Sequence, residues 1–410
     1  MNGEQQRSAI FKRLGAGGLA MALVGGAVTA FGYSSAHDSF FAAYLTAFIF
    51  WFNLTLGSLA IAMLHGLSGG GWGTTVRRVV EAGYETLPII ALAFVPIWLF
   101  HRDIYEWSDP AFMQHVPALA RKAAYLNVDA WRLRAVILFA SWFVSAGLLR
   151  VFAPGDSADE PRRLQRLQTV SGIGLFAYVF SLTIATVDWV MSLEPHWFST
   201  MYGVLYIALQ AVAALALAIV VVSRCADLPP WTKLVRADRL HDLGTLLFAF
   251  VMFSAYVQLM QFLIVWSADL PEENVWYLAR SRGPWLPTLW LLVLFAFATP
   301  YIMLLSRARK RDPQRLQRVA ILILVMSYVS IAWLVMPGFT HGGHGAHAAV
   351  ATHGPDRALV WLAPAAWCAI GGVWIAWFAW RLAARSRVPL LDDAPLEETA
   401  HDHAARPVAG

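Results

Sequence analysis

Two groups of proton-accepting side chains lie within or beside long apolar stretches of the chain. Glu81 and Glu85 are one helical turn apart with Tyr84 beside them, so both carboxyls leave one face of a helix. At about 1.5 Å per residue Glu85 is expected roughly 9 to 12 Å inside the nearer membrane boundary, too deep for hydration by snorkelling. His65 closes the preceding apolar stretch, and His241 with Asp242 opens a later one. A second group, Asp188, Glu194 and His196, falls in the segment DWVMSLEPHWFSTMYG between two further apolar stretches. Charge at mid-bilayer costs roughly 2.5 to 3.5 kcal/mol per group on insertion scales, so groups placed there need a role that repays it. Two titratable sets joined by hydrogen-bonding side chains are the parts of a proton path. Tyr178, Tyr256 and Gln258 are the connecting residues, with Asn53, Thr55, Ser58, Thr183, Ser254 and Gln261 in support. Glu85 is the central group of this reading: in a wet bundle interior, Glu85→Gln is expected to lower proton translocation. Plainer readings stand beside it. Glu81 can pair with Arg77 or Arg78, and His241 with Asp242 can cap a helix at the surface. The Asp188 segment can be a hydrated turn with Pro195 opening the next span and Trp189 and Trp197 in the headgroup belt.

Redox chemistry within the chain is poorly supported by residue types. Cys225 and Cys368 are far apart and lack a CxxC or CxxCH, which excludes an all-cysteine iron–sulfur cluster and a c-type haem attachment. A b-type haem needs axial histidines at one depth on facing helices, whereas His65 and His241 border their spans. His341, His344, His347 and His353 sit in GFTHGGHGAHAAVATHG, where imidazoles could bind zinc or copper weakly. The intervening glycine and alanine offer nothing to fix ring orientation, so no metal site is assigned.

These groups must be positioned by membrane helices. The 410 residues are 58% hydrophobic and 14% charged, with mean hydropathy +0.54, a balance that no polar shell could cover. Ten apolar spans are readable: Leu14–Gly32, Phe41–Leu64, Val79–Phe100, Leu133–Phe152, Gln168–Ser192, Thr200–Ser223, Leu240–Ser267, Trp285–Ser306, Arg318–Met336 and Leu359–Ala383. Backbone donors in lipid need internal partners, so the spans are helices. The first resembles a cleavable signal peptide in its basic flank but is expected to be retained. Arginine and lysine gather before the first span and after the second, fourth, sixth and eighth, which predicts that both termini are cytoplasmic. The net charge of +5 is accordingly a topology signal directed at the lipid surface and not a nucleic-acid footprint.

An internal repeat divides the chain. PRRLQRL from Pro161 recurs as PQRLQRV from Pro313, and at the same offset Tyr125-Leu126 recurs as Tyr277-Leu278. Four spans separate the copies, so the halves share one orientation and form a parallel repeat. The expected architecture is an all-α integral membrane protein with ten transmembrane helices, arranged as two four-helix bundles and two peripheral helices. The corresponding segments are 1–40 (N-terminal segment, first helix and outer loop), 41–198 and 199–340 (the two bundles), 341–386 (His-rich loop and tenth helix) and 387–410 (a disordered tail).

DWVMSLEPHWFSTMYG, from Asp188 to Gly203, resembles the corresponding turn of the F subunit family (ActF) of bacterial Alternative Complex III. QFLIVWSADLPEENVWYLARSRGPW, from Gln261 to Trp285, resembles the segment leaving that family's seventh membrane helix. Met260 and Asp269 depart from the serine and asparagine of the family pattern. The resemblance implies the polysulfide-reductase membrane subunit (NrfD-like) fold and a place in a quinol:electron-acceptor oxidoreductase of a bacterial inner membrane. It also implies partners: a sister NrfD-like membrane subunit, an iron–sulfur subunit, multihaem cytochrome c subunits and a terminal oxidase. Haem c, iron–sulfur clusters and menaquinol or ubiquinol would lie on those chains, with no cofactor in this one. Two other readings remain open. One is a quinol-binding anchor of a molybdenum-type reductase, with Asp188 or His196 at the mouth of an apolar slot. The other is a secondary transporter, which internal repeats and buried acids also suit, although a parallel repeat without matching helix breaks argues against it.

Overall fold

A computed structural model describes residues 3–115, 121–153, 160–229, 231–340 and 357–385, and every regular element among them is helical. Ten helices are long and apolar enough to cross a membrane, which makes the chain an all-α membrane protein. In chain order the principal elements are α1 (Gly3–Ser35), α2 (His37–Ser68), α3 (Gly71–Tyr84), α4 (Leu87–Leu99), α5 (Val128–Val151), α6 (Glu160–Trp189) and α7 (Tyr202–Arg224). There follow α8 (Ala237–Ala268), α9 (Pro271–Arg280), α10 (Trp285–Leu291), a π-helical turn (Leu292–Ala298), α11 (Thr299–Leu305), α12 (Pro313–Val335) and α13 (Arg357–Arg385).

Four helices group in each half. In the first, α2 packs on α3, α4 and α6, with α5 against α6 and α4; in the second, α7 packs on α8 and α12, with α11 against α8 and α12. The same neighbour pattern therefore recurs in the two halves, in the order the repeat predicts. The groups join through α2 and α7, the two most enclosed spans. The first and last spans, α1 and α13, pack along each other, and α13 leans on α2 and α3. Their closeness depends on small residues, since helices in lipid associate through van der Waals packing where backbones can approach. A Cβ at Gly25 would lie 2.6 Å from the Ala369 nitrogen and 2.8 Å from the Ala365 oxygen, and one at Gly18 would lie 2.8 Å from the Gly372 oxygen.

Three local features differ from the sequence reading. The third span is not one helix: α3 ends at Tyr84, and α4 begins at Leu87 with Pro88 in its first turn. Proline has no N–H to continue the ladder, and the Thr86 hydroxyl donates to the Gly83 oxygen at 2.6 Å, which closes α3. The eighth span carries the π-helical turn just before Pro300, which sits in the first turn of α11. Because these interruptions fall in the second span of one half and the third of the other, they do not match across the repeat. Finally, the expected outer loop after the first span shrinks to Ala36, whose N–H bonds Gly32 O at 2.9 Å while its own oxygen receives Phe40 N at 3.0 Å.

Replacing Gly25 with leucine should force α1 from α13 because the obstructing atoms are backbone. A destabilisation of about 1 to 3 kcal/mol, the ordinary cost of overpacking, is expected as a lower melting temperature of the detergent-solubilised chain.

Candidate functional site

Two ends of the molecule carry the polar chemistry. The basic end holds the arginine-rich connections, and the turn end holds the segment Asp188–Gly203.

Toward the basic end, the break in the third span is the centre of a bonded cluster. Glu85 closes α3, and its carboxylate receives two bonds from Arg381 of α13, Nε to Oε2 at 2.6 Å and Nη2 to Oε1 at 2.6 Å. Its backbone oxygen, freed at the break, accepts from Trp377 Nε1 at 2.8 Å. Next to it the Thr86 and Thr55 hydroxyls meet at 2.7 Å, and Trp374 Nε1 donates to Thr55 at 2.8 Å. Gly83 lets α3 approach α2 closely, for a Cβ there would meet the Ser58 side chain. Glu85, expected in a water-accessible bundle interior, thus sits in a fork-to-fork pair with an arginine from the last span. Bidentate geometry of this kind adds directional specificity to two charge-assisted bonds.

The other residues of the expected inner set have contacts of their own. Glu81 pairs with Arg77 at 2.9 Å, the plainer of the two sequence readings, and Tyr84 is buried beside it. His65 packs edge-on against Trp72 at 5.5 Å. His241 and Asp242 lie 3.7 Å apart at the start of α8, with the Asp242 side chain 61% exposed. Gly71, at the start of α3, abuts Arg239 near that pair, and Glu85 is fourteen residues further along, roughly 20 Å of helix.

At the turn end, Asp188 is fully buried and held by Arg134, Nε to Oδ2 at 2.7 Å and Nη2 to Oδ1 at 3.0 Å. The guanidinium lies 3.9 Å over the Tyr125 ring and donates to the Tyr125 oxygen. The Asp188 backbone oxygen accepts from Trp131 Nε1 and from Ser192 Oγ, which closes the end of α6. Trp189 inserts among Phe48, Phe52, Phe94, Phe139 and Trp142, its ring 4.6 Å from that of Phe94. Six residues beyond Asp188, Glu194 receives Arg280 Nη1 at 3.2 Å and Nη2 at 3.0 Å. Arg280, 1% exposed, also donates to the oxygens of Trp276 and Leu334, and lies 3.9 Å over the Trp276 ring. Trp276 stacks on Trp197 at 4.8 Å with planes 15° apart. The two motif segments, 188–203 and 261–285, therefore dock on each other.

His196 is exposed. Partial burial, with the nearby Lys122 ammonium adding to it, pushes its imidazole below the ordinary value, so it is neutral at pH 7. Lys122 itself donates to the Pro195 oxygen at 2.6 Å.

Between the ends, Tyr178 donates to Gln210 Oε1 at 2.7 Å, and Gln210 Nε2 donates to Asn53 Oδ1 at 2.9 Å, all three buried where α6, α7 and α2 meet. This chain of amides ties the two halves together in the interior. Tyr256 and Gln258, expected to lie in the same interior, are instead exposed on α8, because the buried stripe of that helix runs through Val251, Ser254, Val257, Gln261 and Val265. His341, His344, His347 and His353, and the tail from residue 387, lie outside the described residues. Among the described residues no group of three or more His, Cys, Asp or Glu side chains is placed to hold a metal ion.

Arg134, Arg280 and Arg381 are the groups the sequence reading passed over. Their signal was an arginine at a span edge on the same side as an unexplained acid.

Fold and site together describe a multi-pass helical membrane protein in which Glu81, Glu85, Asp188 and Glu194 are each held by an arginine. No protein-family model matches the chain, and no curated protein does.

Two outcomes follow from this geometry. Arg280→Leu leaves the partly buried Glu194 without its cation and should destabilise the chain by about 3 kcal/mol, the low end of the cost of breaking a buried pair, read as loss of thermal stability in detergent, whereas Arg280→Lys should recover only part because it lacks the fork. His101, 6% exposed with Nδ1 3.1 Å from the Trp98 oxygen, has its imidazole pushed below the ordinary value by burial, with lesser contributions from Arg132 and Arg102. Its neutral form therefore supports the fold fully above about pH 6.5, and that support is lost as pH falls from there toward the depressed value. Melting curves across that window should flatten in His101→Gln.

Proposed function

We propose that the chain is a membrane subunit of a quinol:electron-acceptor oxidoreductase of the Alternative Complex III kind. In this reading it lies in a bacterial inner membrane with both termini cytoplasmic. Haem c, iron–sulfur clusters and the quinol are held by partner chains: multihaem cytochrome subunits, an iron–sulfur subunit and a sister NrfD-like membrane subunit, with a terminal oxidase beyond them. The observation that supports it best is the docking of the two resembling segments through Glu194–Arg280 and Trp197–Trp276, so that the residues carrying the likeness form one built unit. Two four-helix groups with the same neighbour pattern agree with the fold that likeness implies. The arginine-rich connections favour the cytoplasm for the basic end.

Within such a complex, the geometry favours a charge-paired membrane body over a continuous proton wire. Glu81, Glu85, Asp188 and Glu194 each meet an arginine, and a carboxylate held in this way loses its charge-assisted bonding when it takes a proton. The proton path is the second reading, favoured by the interruption of the third span at Glu85 with the Thr86 and Thr55 hydroxyls beside it. A path there would open the Glu85–Arg381 pair at each passage.

Purification in a mild detergent should bring down haem and iron–sulfur proteins with this chain. Recovery of a lone chain that drives solute uptake into liposomes would replace the proposal with the transporter. In the assembled complex Glu85→Gln should lower thermal stability by a few kcal/mol, about the cost of stranding a buried charge, with protons released per electron unchanged. Reduced proton release from a complex of normal stability would favour the path instead.

A further inference from the structure

Tyr256 and Gln258 lie close to the middle of the apolar run of α8, twelve and ten residues from Ala268, or roughly 18 and 15 Å of helix from that end. Tyr256 is 58% exposed, and Gln258 is exposed as well. The Gln258 amide nitrogen turns back to its own helix, bonding Ser254 O and Oγ at 3.2 Å each. Neither the Gln258 carbonyl oxygen nor the Tyr256 hydroxyl has a hydrogen-bond partner among the described residues. Acyl chains offer no such partner, and neither side chain is long enough to reach the headgroups from that depth.

The surface around them has the spacing of a helix–helix seam. Met252, Ala255, Leu259, Phe262 and Trp266 follow one another at alternating intervals of three and four residues, while Val257 on the opposite side is buried against the rest of the chain, as are Val251 and Val265, seven residues either side of Gln258. Of the seam residues, Leu259 is 53% and Trp266 67% exposed, and Ala255 leaves a notch between larger neighbours. Tyr256 and Gln258 flank this seam on its two sides, the positions from which side chains reach across to a partner helix. A second copy docked through the same seam does not supply what they need. In a parallel two-fold pairing the residue facing Gln258 is Leu263 and the residue facing Tyr256 is Val251, neither of which can hydrogen-bond through its side chain.

We propose that the outward seam of α8 is the docking surface for a membrane-spanning helix of a different chain, one that presents hydrogen-bonding side chains at mid-span to Gln258 and Tyr256. The seam requires only that this chain cross the bilayer, and stands or falls separately from the redox assignment.

The test places the photoreactive p-benzoylphenylalanine at Leu259 of the full chain in its native membrane. The expected adduct is with another membrane-spanning chain, at a peptide carrying Ser, Thr, Asn, Gln, Tyr or His near mid-span. Adding Gln258→Leu and Tyr256→Phe should cut its yield roughly three- to thirtyfold, the range that interhelical polar contacts in bilayers cover, while the melting temperature of the isolated chain in detergent holds. If the double variant accumulates poorly, the single Gln258→Met is read the same way. Adducts with lipid alone, an adduct with a second copy of this chain, or a yield that the apolar substitutions leave unchanged would each overturn the proposal.

Discussion

A carboxylate among apolar helices persists only where another charge meets it, and the architecture of this chain is built on that condition. Isolated in hydrocarbon, each would be protonated or expelled. Paired in a fork with arginine it becomes a neutral, directional cross-link. Arg134 to Asp188 joins α5 to the end of α6, Arg280 to Glu194 joins α9 to the turn after α6, and Arg381 to Glu85 joins the last span to the break in the third. Each pair thus fixes a place where a helix stops, which is also where backbone groups need outside partners. The tryptophans complete the arrangement: Trp131 serves the Asp188 oxygen, Trp333 the Arg280 oxygen and Trp377 the Glu85 oxygen.

The same condition shapes the bundle interior. Where no charge is present, neutral amides and hydroxyls join the helices, as in the Tyr178, Gln210 and Asn53 chain between the halves. Such contacts contribute modestly in a bilayer, because a separated helix also finds partners. Close packing at glycine provides the rest. Gly57 brings α2 onto the backbone of α7, where a Cβ would collide with the Gln210 oxygen, and Gly372 brings α13 onto α1. Polar bonds select which helices meet, and small residues set how near they come.

These features bear on function through what they immobilise. A proton relay needs groups that change partners, while a scaffold needs groups that keep them. At the turn end, Asp188 is enclosed by Arg134, Trp131 and Ser192, and Glu194 by an arginine that also bonds two backbone oxygens, so both acids are over-determined. Near the basic end, Glu85 sits at an interrupted helix and depends on a cation from a helix of the other end of the chain, which makes it the place where a partner could change.

Hydropathy alone determined the helical class and the ten spans, because hydrocarbon leaves the backbone no alternative to a helix over such lengths, and the recurrence of PRRLQRL as PQRLQRV grouped them into repeated halves. It also drew attention to Glu85, Asp188 and Glu194, since charge beside apolar sequence is legible at a glance. Which cation each acid would meet was decided only by the tertiary structure: Arg381 is 296 residues from Glu85 and Arg280 is 86 from Glu194, separations that no local pattern encodes. The outward turn of Tyr256 and Gln258 was equally hidden, because a nearly all-apolar helix gives no periodicity to tell the face toward its neighbours from the face toward lipid or a partner. The break at Glu85 had a local sign in Pro88, but only packing against Trp377 and Arg381 made it tolerable in a membrane.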